Sequence, residues 1–274
     1  MTTIQRYPSL DILPAENICL HEHHDPQRTL PLLERIKSSR ILYNPPVVIP
    51  IGDAGSQFMV LDGANRVTAM KEMGLPHLLV QIVDANSPGL SLQTWNHVIW
   101  NIEQEGLLRE IASIKDILLE YNNQPTFTPQ SIGLLELPDH RRFSIGTASP
   151  SMRSEVITRH VRMYSNIARF DRTMIEEIEG VDGYYEKLAG LIIYPQFKIS
   201  EVIRFCQEEN LLPAGITRFI VSPRALRVNY PLDKLANNRQ SIEDKRHDLH
   251  RYIQDRMEKK GVRIYTETTV LYDE

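Results

Sequence analysis

The segment from Leu61 to Lys71, with the sequence LDGANRVTAMK, constrains the fold more than any other part of the chain. The apolar run Phe58–Leu61 before it is typical of a β-strand. The amphipathic run Val67–Met73 after it, closed by Gly74, is typical of an α-helix. A strand, a tight Asp-Gly turn and a helix N-terminus therefore follow one another. This geometry brings free backbone N–H groups and the positive helix end to one place, which suits an anion such as phosphate.

The local sequence leaves two interpretations of this turn open. Arg66, in the first turn of the predicted helix, would add a guanidinium group that can bind a phosphate through two hydrogen bonds. Asp-Gly is also an ordinary turn pair, and Asp62 could simply cap the helix. Because short motifs often occur by chance, the turn alone does not decide between a phosphate site and a plain turn.

The composition predicts a folded protein and argues against some function classes. The chain has 274 residues, enough for one large domain or two modest ones, and its hydrophobic content of 42% predicts a packed core. The net charge of −4 argues against a whole-chain nucleic-acid binder. No signal peptide or membrane-spanning run is evident, so we expect a cytoplasmic protein without a membrane partner. Cys19 and Cys206 show no metal-like spacing and are expected to be reduced thiols.

The first ninety residues predict a compact α/β unit that ends at a break over Asn86–Gly89. Asp25-Pro26 is a strong helix start, because Asp is a good N-cap and Pro suits the first helical position. The predicted elements are strand Leu10–Leu13, a helix from Asp25 to about Ser39, strands Pro46–Ile51 and Gln57–Leu61 joined by a hairpin at 52–55, helix Asn65–Met73 and strand Leu78–Val83.

Beyond the break, the apolar spacing predicts a mostly helical unit with a small β element. The predicted helices are Leu92–Ile102, Leu108–Tyr121, Met152–Phe170, Ser200–Asn210 with Ser200 as its cap, and Leu232–Lys260. A β-hairpin is predicted over 125–146, and strands are predicted at Ile216–Val221, Ala225–Val228 and Arg263–Leu271. The predicted fold class is therefore α+β, with domains at 1–90 and 91–274.

Motifs spread over nearly the whole chain carry a family resemblance. They are L-H-E at 20–22, Arg28 and Lys37–Ser39, L-D-G at 61–63 with Arg66, T-W-N-H at 94–97, and P-A-G-I-T-R-F at 213–219 with Ser222 and Arg224. Together they resemble the ParB/sulfiredoxin superfamily, and within it the free L-serine kinases of the SbnI type, which serve staphyloferrin B siderophore biosynthesis. The segment at 213–219 singles out this subfamily, because generic ParB domains lack it.

The chain departs from the family pattern at two positions of the turn. Asn65 stands where the family often has a phosphate-contacting His, and Asn donates hydrogen bonds without carrying charge. Ala64 stands where sulfiredoxin has its catalytic Cys, which argues against sulfinic acid reduction. The first departure leaves the choice between ATP and ADP open.

The resemblance implies a kinase that uses ATP or ADP with Mg²⁺, a ParB/sulfiredoxin-like first domain, and a role for each motif residue. Glu22 would be the general base, and Asp62 would hold Mg²⁺ or orient the acceptor hydroxyl. The nucleotide-binding residues would be Gly63, Ala64, Asn65, Arg66 and Thr68. The residues that bind L-serine would be Trp95, His97, Arg218 and Arg224, since an Arg fork suits a carboxylate. Ordinary surface or core positions remain the alternative for each.

Three other interpretations remain at this stage. His21, His23 and His24 form a cluster that could hold a metal ion or haem, although a polar loop beside an active site also explains it. A ParB-like, nucleotide- or haem-responsive DNA-binding regulator is the alternative function, although no basic helix-turn-helix is evident. A silent nucleotide or haem sensor is the third, because Asn65 replaces the family His. The expected partners are L-serine and a nucleotide, without nucleic acid, in a protein that could form a homodimer.

Overall fold

The computed structural model of the chain describes residues 7–52 and 56–265, within which it forms fifteen strands and seven α-helices. The strands are β1 (Ser9–Pro14), β2 (Ile18–Cys19), β3 (Ile41–Leu42), β4 (Val47–Ile51), β5 (Gln57–Asp62), β6 (His77–Ile82), β7 (Leu90–Thr94), β8 (Asn96–Trp100), β9 (Ile117–Tyr121), β10 (Ser131–Glu136), β11 (Arg142–Thr147), β12 (Arg169–Thr173), β13 (Leu188–Ile193), β14 (Thr217–Val221) and β15 (Tyr230–Pro231). The helices are α1 (Pro26–Ser39), α2 (Ala64–Glu72), α3 (Gln104–Ser113), α4 (Arg153–Ile167), α5 (Ile199–Gln207), α6 (Leu232–Ala236) and α7 (Ile242–Glu258). None of these helices is long and apolar enough to span a membrane.

The first sheet has five strands in the order β1-β6-β4-β5-β2. Every strand and helix predicted in the first ninety residues is present, with bounds close to those expected. Helix α1 begins at Pro26, and the Asp25 side chain caps it by accepting a hydrogen bond of 3.0 Å from the Gln27 amide. These predictions were confirmed because strong periodicity coincided with an explicit start or turn signal.

Strands β4 and β5 are buried on both faces, which explains their continuous apolar runs. Val47, Ile49 and Met59 belong to a core that extends into the second half of the chain. Their neighbours Val48 and Val60 point the other way, into a core with α1 and α2. The first sheet therefore lies between two cores.

The second core is completed by the end of the described chain. Ala225, Tyr230, Leu235 and Leu249 are buried in the same core as Val60, and β15 pairs with β3. Residues beyond 224 thus pack on the first unit, although they follow the second in sequence. The domain boundary near residue 90 stays a prediction.

The second sheet corrects the expectation of a mostly helical second half. It has six strands in the order β12-β8-β13-β10-β11-β9. The predicted helix Leu92–Ile102 is wrong, because this segment forms β7 and β8. Its apolar spacing fits a helix, but β8 lies centrally between β12 and β13, where both faces are buried. The predicted hairpin over 125–146 is confirmed by β10 and β11.

Two predicted helices are shorter than expected. The helix expected over Leu108–Tyr121 ends at Ser113, and the segment Ile117–Tyr121 pairs with β11 as β9. The helix expected over Leu232–Lys260 is broken between α6 and α7. Ser241 accepts a hydrogen bond of 3.1 Å from the Asp244 amide and so starts a new helix.

The remaining differences concern local signals. Ser200 lies inside α5, whose N-cap is Lys198. The predicted strand Ala225–Val228 is absent, because Ala225 is tied to Gln81 and Arg227 has a left-handed φ of 51°. Of the predicted strand Arg263–Leu271, residues 263–265 are not in a strand, and the rest lies outside the described residues. The hairpin at 52–55 also lies mostly outside them.

The cysteines also differ from expectation. Cys19 and Cys206 were expected to be reduced thiols, but the fold brings their Cα atoms within 6.6 Å and joins them in a disulfide. The pair is 187 residues apart in sequence, so its spacing gave no indication of this contact. The bond links β2 of the first sheet to α5.

A polar cluster lies inside the core that extends into the second half of the chain. The His97 ring bonds to the Tyr164 hydroxyl, which lies 2.9 Å from the Tyr194 hydroxyl. His160 packs against both tyrosines, and neither of its ring nitrogens has a hydrogen-bond partner among the described residues. Burial lowers the pKa of His97 and of His160 to about 3, so both rings are neutral at pH 7.

His160 should make the protein less stable in acid. In the unfolded chain the pKa of His160 is near the ordinary 6.5. Between pH 6.5 and about 3, the His160 ring therefore binds a proton in the unfolded state but stays neutral in the folded state. As the pH falls from 6.5 to 4.5, the free energy of unfolding of His160→Phe should rise by about 2 kcal/mol relative to that of the parent. Denaturant unfolding across this range measures it. The exposed His250→Phe is the control, and parallel curves for parent and His160→Phe would contradict the prediction.

Candidate active site

A cavity of about 300 Å³ lies where the turn after β5 meets the segment that leads into β14. It is lined by Glu22, His23, Asp25, Arg28, Leu32, Leu61, Asp62, Gly63, Ala64, Asn65, Arg66, Trp95, Arg172, Ala214, Gly215, Thr217, Arg218 and Phe219. The fold therefore brings the predicted base, the predicted phosphate turn, Trp95 and Arg218 together in one place. Both carboxylates and guanidinium groups line it, so the lining suits a polyanion bound together with a polar molecule.

The strand, turn and helix predicted around Asp62 are present. Gly63 has a φ of 98° and precedes α2. A Cβ at Gly63 would lie 3.0 Å from the Arg66 Nε and 3.2 Å from the Pro46 Cα, so the close turn requires glycine. Asp62 does not cap the helix, whose N-cap Gly63 offers no side chain. The free N–H groups at the start of α2 thus remain available to a ligand.

Arg66 and Arg224 both bind Asp62. Arg66 donates to the Asp62 Oδ2 at 2.8 Å and to the Asn44 carbonyl at 2.9 Å, and Arg224 bonds to the same Oδ2. Burial would raise the pKa of Asp62, but the two guanidinium groups outweigh it and hold that pKa below its usual range. Asp62 is therefore a carboxylate at neutral pH. Arg224, predicted to bind the substrate, is engaged with Asp62 and does not line the cavity.

The side chain of Asn65 accepts two hydrogen bonds within the fold that the sequence motif did not indicate. Its side-chain oxygen accepts hydrogen bonds from the Asp25 amide at 2.9 Å and the Thr29 hydroxyl at 3.1 Å. The residue thereby ties the start of α2 to the start of α1. Thr68, predicted with the nucleotide residues, is not among the cavity lining.

Glu22 is positioned by the opposite side of the cavity. The backbone around it forms a parallel bridge with Leu212: the Leu212 amide donates to the His21 carbonyl at 3.0 Å, and the His23 amide donates to the Leu212 carbonyl at 2.8 Å. The Glu22 Oε2 then accepts a hydrogen bond of 3.1 Å from the Gly215 amide. This hydrogen bond orients the Glu22 carboxylate, which still lines the open cavity.

His21 supports this arrangement and is not available as a metal ligand. Its ring is buried, with Nδ1 2.6 Å from the Val60 carbonyl and Nε2 2.7 Å from the Thr217 hydroxyl. Burial lowers the pKa of His21, so the neutral ring donates from Nδ1 and accepts at Nε2. The predicted haem or metal cluster therefore loses His21, since both of its nitrogens are occupied. His23 is exposed and lines the cavity.

The second half contributes aromatic and cationic groups. The Arg218 guanidinium stacks over the Trp95 ring at 4.5 Å and donates to the Gln93 side chain at 3.2 Å. His97, predicted to bind substrate, is fully buried behind the cavity, with Nε2 3.3 Å from the Gly215 carbonyl. Arg172 lines the cavity, but no motif pointed to it.

Comparison with known proteins shows which proteins the chain resembles as a whole. No protein-family model matches the sequence. The chain is 24% identical over 277 aligned residues to the ATP-dependent L-serine kinase SbnI of Staphylococcus aureus, covering 97% of each protein. The resemblance to the free L-serine kinases is confirmed. A second relative, the ATP-dependent L-serine kinase of Staphylothermus marinus, is 28% identical over 117 residues, which cover 40% of this chain and 46% of that protein.

Solved structures support the fold. A C-terminally truncated SbnI from Staphylococcus aureus superposes with a TM-score of 0.69 and 22% identity, covering 90% of this chain and 97% of that one. A mutant free serine kinase in complex with AMP gives a TM-score of 0.73 at 11% identity, covering 84% and 95%. The mixed α/β fold is therefore shared along most of the chain.

Gly215 offers a test of the cavity wall. Its φ is 81°, and a Cβ there would lie 2.0 Å from the Arg172 Cζ, whereas Gly183, with a φ of 80°, has open space around it. Both alanine variants should lose about 1 kcal/mol through the left-handed backbone. The contact at Gly215 should add little, because the Arg172 guanidinium is the far end of an exposed side chain and can move aside. Denaturant unfolding measures both losses, and a much larger loss in Gly215→Ala than in Gly183→Ala would show that the Arg172 side chain is held rigidly in the cavity wall.

Proposed function

We propose that this protein is a kinase that phosphorylates free L-serine to O-phospho-L-serine with ATP or ADP as the donor. The observation that carries the proposal is that Glu22 and the turn at 62–66 line one cavity. A general base thus faces a phosphate-binding helix start. The similarity to an ATP-dependent L-serine kinase over 97% of the chain supports the choice of substrate.

The donor phosphates bind at the start of α2. The first backbone N–H groups of a helix have no partners inside it, and the helix dipole adds positive charge there. Arg66 and Arg28 also line the cavity and supply charge-assisted hydrogen bonds. Because Arg66 is already oriented by Asp62 and Asn44, little further ordering is needed when the nucleotide binds.

The acceptor hydroxyl binds beside Glu22. The carboxylate takes the hydroxyl proton while the serine oxygen forms its bond to the transferred phosphorus. The bond from that phosphorus to the bridging oxygen of the nucleotide breaks, and the electron pair leaves with the nucleotide. The hydrogen bond from the Gly215 amide fixes the Glu22 carboxylate, so the base does not have to be ordered during the reaction.

Asp62 fits a magnesium ligand. Its Oδ2 is taken by the two arginines, but its Oδ1 accepts no hydrogen bond within the described ranges, and the side chain is 44% exposed. Magnesium binds proteins through one or two carboxylates together with substrate phosphates. When bound, the ion offsets the negative charge of the phosphate oxygens.

The alternative of a ParB-like DNA-binding regulator gains no support from the fold. Between residues 96 and 193 the described chain builds the six-stranded sheet, in place of a basic helix-turn-helix. A role for the product in siderophore assembly, a homodimer and a cytoplasmic location remain predictions from the resemblance and the composition.

Direct assay tests the proposal. The pure protein is incubated with Mg²⁺, L-serine and either ATP or ADP, and phosphoserine is followed by ³¹P NMR and mass spectrometry. We expect phosphoserine with at least one nucleotide and none when serine is omitted. Absence of phosphoserine with both nucleotides would refute the proposed function.

Glu22→Gln should lower kcat by about 10²–10⁴-fold, because the amide keeps the shape of the carboxylate but loses the basic oxygen. The Kd for nucleotide should stay within about threefold, since Glu22 does not belong to the phosphate turn. Kinetics and calorimetry give the two quantities. Glu34→Gln, on the exposed face of α1, is the control. An unchanged kcat in Glu22→Gln would place the base elsewhere.

Arg66→Ala should weaken nucleotide binding itself. A charge-assisted contact to phosphate is worth roughly 1.5–3 kcal/mol, which corresponds to about a 10- to 100-fold increase in Kd. Calorimetry with ADP and ATP measures the change, with the exposed Arg35→Ala as a control on α1. If Arg66→Ala bound nucleotide as tightly as the parent, the phosphate assignment of the turn would be wrong.

A further inference from the structure

Arg172 is one of four arginines that line the cavity. It lies on β12 and lines the cavity, where its Nη2 donates to the Ala214 carbonyl at 3.3 Å. In the described part of the chain no carboxylate forms an ion pair with it. By contrast, Arg224 is bound to Asp62, and Arg218 is stacked on Trp95. Arg172 is thus a cation beside the base without an anionic partner.

Arg172 and Glu22 both lie against Gly215. The Glu22 Oε2 accepts a hydrogen bond of 3.1 Å from the Gly215 amide. On the same residue, an added Cβ would lie 2.0 Å from the Arg172 Cζ, so the guanidinium lies within about 4 Å of the Gly215 Cα. Glu22 and Arg172 do not pair with each other, although both contact Gly215. A gap therefore separates them.

The two groups are close enough for one free amino acid to join them, because each lies within about 4 Å of an atom of Gly215. In serine the carboxylate lies about 3–4 Å from the hydroxyl oxygen by covalent geometry. With hydrogen bonds of about 2.8 Å at each end, a serine whose hydroxyl is on Glu22 brings its carboxylate to the guanidinium. Planar guanidinium groups bind carboxylates in a bidentate manner.

The surroundings keep this cation available. Behind it lie neutral groups, among them the buried His97 and Tyr164. Burial and then the positive charge of Arg172 lower the pKa of His97, so that ring does not compete as a cation. Burial raises the pKa of Tyr164 well above its ordinary value, so it offers no anion.

We propose that Arg172 binds the α-carboxylate of the acceptor and thereby restricts the kinase to free amino acids. The proposal rests on the proposed function and adds a specificity residue to the same site. A serine whose carboxyl group is an amide, as in L-serinamide or within a peptide, would leave the Arg172 guanidinium unpaired. Such an acceptor would be phosphorylated poorly.

The test compares L-serine with L-serinamide in the parent, Arg172→Ala and Arg172→Lys. Arg172→Ala should raise the KM for L-serine by about 10- to 100-fold and leave the KM for nucleotide within about threefold. The preference of the parent for L-serine over L-serinamide should largely disappear. Arg172→Lys should be intermediate, because it keeps the charge and loses the fork. Arg169→Ala, on the same strand and outside the cavity lining, should behave like the parent.

Several outcomes would overturn the assignment. Equal losses with L-serine and L-serinamide in Arg172→Ala would indicate a merely structural role, and a rise in the nucleotide KM alone would indicate a phosphate contact. Thermal unfolding of each variant separates loss of fold from loss of binding. If the parent transferred no phosphate to serine, the proposed function would fail, but calorimetric binding of L-serine and L-serinamide to parent and Arg172→Ala would still decide the role of Arg172.

Discussion

The backbone bridge between Glu22 and Leu212 is the contact on which the site depends. Two hydrogen bonds hold residues 21–23 against a segment almost two hundred positions later in the chain. They place the Glu22 carboxylate at the Gly215 amide and the His21 ring at the Thr217 hydroxyl. Without this bridge the first half would hold a phosphate turn, and the second would hold the arginines, but no base would lie between them.

The charged groups of the site lie on the cavity wall, whereas the buried rings behind the wall are neutral. Asp62 is shared by two arginines, which fixes both its ionisation and the direction of Arg66. Buried histidine and tyrosine rings behind the cavity are held neutral by desolvation. Charge is therefore concentrated on the exposed wall, where a ligand can meet it, and is absent from the interior, where it would be costly.

Local signals in the sequence predicted the first unit well. Asp25-Pro26 and the turn at 62–66 combine periodicity with an explicit cap or turn residue, and both are present as predicted. The segment 92–102 was wrong because its apolar spacing fits a helix, whereas its pairing with β12, β13 and β14 lies far along the chain. No local pattern contains that information.

The site, too, depends on contacts between distant segments that local sequence patterns do not reveal. Glu22, Trp95 and Arg218 were identified through the family resemblance, and the fold brings them together. Arg172 and the Cys19–Cys206 disulfide depend on contacts between distant segments, so spacing gave no signal for them. For Arg224 the chemistry of the side chain was clear, but its partner, Asp62, was visible only in three dimensions.

The two buried faces of β4 and β5 have a consequence for synthesis on the ribosome. One face packs in a core whose buried members are all made by Ile216, whereas the other packs in a core that includes Leu249. Since translation runs from the N-terminus, the first core can close while the last helix is still inside the exit tunnel. The second must wait for α7 to emerge. Until then, the second side of the first sheet is covered by α1 and α2 alone and lacks the residues of α7 that complete its core.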